Sequence, residues 1–158
     1  MDIELALHDL LAVEQRLESL YAWFAAEFAD DEAAVALWGQ MSREERSHAE
    51  LVQAQIKLVA AAPEQVLGDD HPASWREVQE LLTRIDRLRN APLPPSLEDA
   101  LQAAILFESS GAELYSVRSL VHARPEIQQL LRRLSEANRH HHQRLLEFAT
   151  KRGALTFR

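Results

Sequence analysis

Apolar residues return at the three- and four-residue steps of an α-helix through most of this 158-residue chain, and the breaks in that pattern divide it. Over 3–29 the repeat is carried by Leu7, Leu10, Leu11, Leu17, Tyr21, Phe24 and Phe28, which predicts a first helix. Asp30-Asp31 can cap a second, running to about Ala61 with Leu37, Trp38, Met41, Val52 and Val59 towards one face. Breakers then cluster twice: Pro63, Gly68 and Pro72, and later Pro92, Pro94 and Pro95. Between them Ser74 to Arg89 reads as a short amphipathic helix with Trp75, Val78, Leu81, Leu82, Ile85 and Leu88. Ser96-Leu-Glu-Asp99 resembles a capping box and opens a third long helix ending near His122. Pro125 suits the first turn of a fourth, which runs to about Lys151 and can be terminated by Gly153.

Short loops within the first and second helix pairs predict two antiparallel hairpins. The connection between the pairs, 62–95, is long and carries the extra short helix. The expected fold class is all-α: a four-helix bundle of two hairpins joined by one long crossover, in a single domain spanning 1–158.

Composition narrows the function. With 47% hydrophobic and 27% charged residues the profile is that of a soluble globular domain. No apolar run approaches the roughly 20 residues of a bilayer span, so no membrane partner is expected. The acidic start Met1-Asp-Ile-Glu4 does not resemble a secretory signal. There are no cysteines, which removes disulfides, thiolate metal sites and thiol catalysis and fits a cytoplasmic location. A net charge of −8 without a basic tract argues against nucleic acid as a partner.

The candidate chemistry lies where the stripes turn polar. At about 100° per residue, Glu14 interrupts the inner stripe of the first helix, with Glu18 about 40° away. Glu45 and His48 interrupt the second, Glu108 the third, and Asn138 and His141 the fourth. The halves repeat: Glu14 to Tyr21 and Glu108 to Tyr115 are each seven residues apart, and Glu14 to His48 spans 34 residues where Glu108 to His141 spans 33. A carboxylate among core residues is costly unless paired or bound to metal. Several converging carboxylates repel one another unless cations sit between them. Plainer readings stand beside this one. A stripe phase shifted by one residue puts Glu14 and Glu108 at the surface. Tyr21 and Tyr115 could be core aromatics, Asn138 a buried polar residue, and His48 a hydrogen-bonding histidine. Trp23, Phe24, Phe28, Trp38 and Trp75 read as packing.

On Glu14…Tyr21…Glu45-x-x-His48 and Glu108…Tyr115…His141, over roughly 3–151, the chain resembles the rubrerythrin-type branch of the ferritin-like diiron-carboxylate family. The resemblance implies Glu14 and Glu108 as terminal ligands, Glu45 as a bridge, and His48 and His141 each on one iron. Tyr21 and Tyr115 would donate to carboxylates across the bundle. It also implies an oxidoreductase, peroxidase- or ferroxidase-like, acting on peroxide, dioxygen or ferrous iron, in iron handling or oxidative-stress defence.

The pattern departs from the family at Asn138, which stands where a second bridging carboxylate belongs, and at Gly111, where some members carry another glutamate. Three carboxylates offer −3 against +4 for two ferrous ions. The second iron site is therefore expected to be weak or absent, with Glu18 a substitute ligand, or the single ion to be zinc or manganese. The other class of reading is a degenerate bundle with one ion or none, acting as a structural or interaction protein. His140 and His142 lie about 100° from His141 and should face a neighbour or solvent. The sequence has no Cys₄ rubredoxin-like segment, so a peroxidase would need an external electron donor. A homodimer is the expected assembly, with Trp23 and Trp75 as candidate interface residues.

Overall fold

The computed structural model describes residues 3–61, 72–114 and 125–154, with the side chains of 72–75 and 112–114 outside that description. All regular structure there is helical: α1 (Ile3–Glu27), α2 (Glu32–Ala60), α3 (Pro72–Arg89), α4 (Leu97–Leu114) and α5 (Pro125–Lys151). None of these helices is long and apolar enough to cross a membrane. The expected end of the third long helix near His122 lies outside the described residues, as do Tyr115 and the Trp75 side chain.

The predicted punctuation operates largely as read. The Asp31 side chain accepts from the Ala34 amide at 3.0 Å and starts α2. Ser96 Oγ accepts from the Asp99 amide at 3.1 Å; in return Asp99 takes the serine hydroxyl at 2.9 Å, not the backbone amide that a longer glutamate would reach. Gly153 closes α5 at φ +62, with Ala154 N donating to Ala149 O at 2.9 Å and Gly153 N to Thr150 O at 3.1 Å. This pair of bonds is a Schellman motif, and its left-handed residue favours glycine.

Helix pairing follows from contacts that run in opposite senses. On α1 and α2, Tyr21 stacks on Trp38 at 5.6 Å while Glu18 meets Ser42 and Arg46. On α4 and α5, Glu108 faces His141 while Gly111 faces Asn138. Rising numbers on one helix meet falling numbers on the other, so each pair is antiparallel. Helix α3 lies across α1 and α4. Its Val78, Leu81, Leu82 and Ile85 join a core with Val13, Leu20, Ala100, Ala104 and Phe107. That flank widens the buried faces of α1 and α4 beyond the single stripe the periodicity predicts. Trp23 is half-buried rather than free: Arg89 of α3 lies 4.6 Å over its ring and its Nε1 donates to Glu27.

The core divides in two. The larger cluster includes Tyr21, Phe24, Trp38, Leu101 and Leu145, and the smaller holds Ile3, Leu7, Val52, Ile56, Val59, Ile127, Leu130 and Leu134. Between them lies a layer of buried polar side chains.

Candidate metal centre

The layer between the two apolar clusters consists of Glu14 from α1, Glu45 with His48 from α2, Glu108 from α4, and Asn138 with His141 from α5. The three-residue spacing places Glu45 with His48, and Asn138 with His141, on common helix faces. Glutamate is almost never fully buried without a partner, yet Glu14, Glu45 and Glu108 are 1%, 0% and 0% exposed. The alternative phase, with Glu14 and Glu108 at the surface, is not the one this fold adopts.

Glu45 sits at the centre. Its Oε2 lies 2.9 Å from His48 Nδ1, and its Oε1 lies 3.0 Å from His141 Nδ1. One carboxylate therefore divides its oxygens between the two imidazoles, whose rings stack at 5.4 Å. Glu14 Oε2 is 3.4 Å from His48 Nδ1 and Glu108 Oε2 is 3.3 Å from His141 Nδ1. Two donor sets result, Glu14–Glu45–His48 and Glu45–Glu108–His141, each with its ligand atoms within 4.8 Å of one another.

The donor atoms suit a divalent cation. Glu45 Oε1, Glu108 Oε2 and His141 Nδ1 are buried and make no hydrogen bond, although they stand close together. Such atoms are costly in an apolar interior unless something satisfies them. Ligands about 2.1 Å from one octahedral ion lie about 3.0 Å from each other, close to the separations observed. Two imidazoles with carboxylates form an N/O set that could hold a divalent metal ion.

Without an ion the layer is balanced by protons. Burial, reinforced by Glu108 and Glu14, pushes Glu45 up to about 8. Burial pulls His48 and His141 down, but their carboxylate neighbours prevail. His48 rises to about 9 beside Glu14 and Glu45, and His141 to about 11 beside Glu108 and Glu45.

Outer contacts orient the inner ones. The Tyr21 hydroxyl donates to Glu108 Oε1 across the bundle. Burial first, then the charges of Glu108 and Glu45, lift Tyr21 well above its ordinary value, so it stays a neutral donor. His141 Nε2 lies 2.7 Å from Glu44 Oε2, which also receives Arg144 at 2.8 Å. Burial raises Glu44, but the Arg144 and Gln40 hydrogen bonds outweigh it and hold the acid at about 2. Glu44 and Arg144 escape a reading confined to the inner stripes. The available signal was the far ring nitrogen of a ligand histidine, which needs an acceptor from an adjacent helix face.

Glu18 and Asn138 take different places. Glu18 is half-buried, accepting from Arg46 Nε at 2.7 Å, and is absent from both donor sets. It does not fill the fourth carboxylate place. Asn138 is 2% exposed, beside His141 but in neither set, and its Oδ1 has no hydrogen-bond partner. Its amide packs against Gly111, where a Cβ would lie 2.5 Å from Asn138 Nδ2. The glycine is what lets α4 and α5 approach so closely. His140 is exposed and His142 half-buried, away from the donor sets.

No protein-family model, no curated protein and no solved structure matches the chain.

Proposed function

We propose that this chain is a non-haem metal protein of the rubrerythrin-type, ferritin-like kind, built to hold two divalent ions. Glu14, Glu45 and His48 would hold one and Glu45, Glu108 and His141 the other, with Glu45 shared. The observation that carries the reading is the division of Glu45 between His48 and His141, with further carboxylates on the outer side of each ring. The proposed ion is iron, as oxidoreductase cofactor or as ferrous substrate. A bound iron would supply Lewis acidity and redox chemistry towards peroxide or dioxygen.

The chain's own residues supply the rest. Glu45 sets the separation of the two half-sites. Tyr21 fixes one oxygen of Glu108 and leaves the other free to face His141. The apolar clusters on either side shield the layer from bulk water, except at the partly exposed edge of His48. Glu45 and the histidines give up their protons as a cation takes the shared space, so uptake releases protons. A homodimer, and an external electron donor for peroxidase chemistry, belong to the same proposal.

A second reading is favoured by Asn138. With only three buried carboxylates, two protonated histidines nearly neutralise the layer, and a bundle with one ion or none is self-consistent. The ion would then be zinc or manganese, or the chain would serve as a structural or interaction protein. Metal analysis after anaerobic ferrous loading separates the two. About two irons per chain, with the visible band of a bridged ferric pair after oxygen, supports the first. A single ion lost in both Glu14→Ala and His48→Ala supports the mononuclear form. No metal, with stability unchanged in Glu45→Ala, sinks the metal reading.

A further inference from the structure

We propose that Glu44, clamped by Arg144, is a positioning residue that sets the tautomer and ring angle of His141; this rests on the metal reading above. A neutral imidazole has one donor nitrogen and one acceptor nitrogen. His141 has a carboxylate oxygen beside each: Glu44 Oε2 at 2.7 Å from Nε2 and Glu45 Oε1 at 3.0 Å from Nδ1. Which nitrogen keeps the hydrogen depends on which neighbour is the firmer acceptor.

The geometry favours Glu44. Both its oxygens are engaged by donors, Arg144 at 2.8 Å on Oε2 and Gln40 at 2.9 Å on Oε1. A carboxylate whose two oxygens face a guanidinium and an amide N–H is placed as an acceptor, so His141 Nε2 is the donor to it. The hydrogen on Nε2 leaves the Nδ1 lone pair facing Glu45 and Glu108, the form a metal ion requires. Arg144 stands three residues after His141 on α5 while Glu44 precedes Glu45 on α2, so the clamp ties the helix that carries Glu45 to the helix that carries His141. Glu44 is 33% exposed at its side chain, so replacing it does not empty the core.

The test uses the purified, metal-free full chain. Cobalt(II) is titrated by calorimetry and visible absorption, and the ion held by His141 is identified as the one lost in His141→Ala. In Glu44→Ala, and in the isosteric Glu44→Gln, that ion should bind about ten- to a hundred-fold more weakly. The ion held by His48 should be unchanged, and Glu44→Asp should recover part of the loss. In zinc-loaded protein with ¹⁵N-labelled histidine, the Nε2–H signal of His141 should shift in Glu44→Ala while the His48 ring signals stay. Wild-type affinity and unmoved His141 signals in both variants would overturn the role of Glu44 and leave the metal reading standing. Equal weakening of both ions would overturn it as well. A wild-type chain that takes up neither cobalt nor zinc removes the metal reading itself, and this inference with it.

Discussion

His48 and His141 stack at 5.4 Å and share Glu45, yet their surroundings are finished differently. The His48 side chain is 12% exposed and turns Nδ1 to two carboxylates of its own hairpin, Glu14 and Glu45. His141 is 2% exposed, takes Glu45 from the opposite hairpin and Glu108 from its own, and has Glu44 and Arg144 behind it. Beside it Asn138 stands at the position that matches Glu45 in the repeat, against a glycine that leaves room for its amide. A duplicated pattern can thus preserve ligand types while the two copies diverge in what braces them. Ligand residues must match the ion. Bracing residues need only match whichever helix face lies behind them.

The largest expected effect tests the shared residue. Glu45→Gln should abolish uptake of both ions, because it removes a charge common to both donor sets. Glu14→Gln and Glu108→Gln should each weaken mainly one. Metal content after loading and dialysis checks this, and retention of either ion by Glu45→Gln would break the shared-bridge geometry.

Next is the cost of removing each imidazole without metal. Losing one partner of a buried charge pair costs about 3–5 kcal/mol. His141→Ala should approach that range, leaving Glu108 without its imidazole partner and Glu45 with His48 alone. His48→Ala should cost less, since water can reach its place. Urea unfolding near neutral pH compares the two, and equal losses would contradict the difference in burial.

The pH response should change sign with metal. Glu45 rises from 4.5 to about 8, His48 from 6.5 to about 9 and His141 from 6.5 to about 11 on folding. Between each pair of values the folded chain holds more protons than the unfolded one, so the stability they contribute is lost as pH rises. The metal-free melting temperature should therefore fall between about pH 6 and about pH 9, first through Glu45, then through the histidines. Metal binding needs those same protons gone, so the rise in melting temperature on adding zinc should grow over that window. A metal-free midpoint that climbs with pH would count against the proton-balanced layer.

The smallest effect isolates the cradle of Asn138. Gly→Ala inside a helix normally stabilises by roughly 1 kcal/mol. At Gly111 the new Cβ would meet the Asn138 amide, so Gly111→Ala should instead destabilise by about 1–3 kcal/mol. Pairing it with Asn138→Ala should restore the ordinary sign, which chemical denaturation of the single and double variants would read.

Much of this was legible along the chain. The helix limits at Asp31, Ser96, Pro125 and Gly153 were readable because caps and breakers act through the backbone within a few residues. The buried acids were readable because they break an otherwise apolar stripe. Glu44 and Arg144 were not, since both lie off the stripe and 100 residues apart, and only the approach of α2 to α5 gives either a function. The fate of Glu18 was equally hidden. Its angle allows it near the layer, but Arg46 holds it outside.

By itself the sequence determines the helices, their inner faces and a polar layer in mid-bundle, because periodicity and capping are local and each glutamate's place on its helix is set by a fixed rotation per residue. Tertiary structure alone decides which oxygen faces which nitrogen. It sends the two oxygens of Glu45 to different histidines, puts an ionised acid behind His141, and makes room for Asn138 over Gly111. Those choices depend on helix separation and register, which are set by how the two apolar clusters and the crossing helix α3 pack, not by any residue's neighbours in the chain.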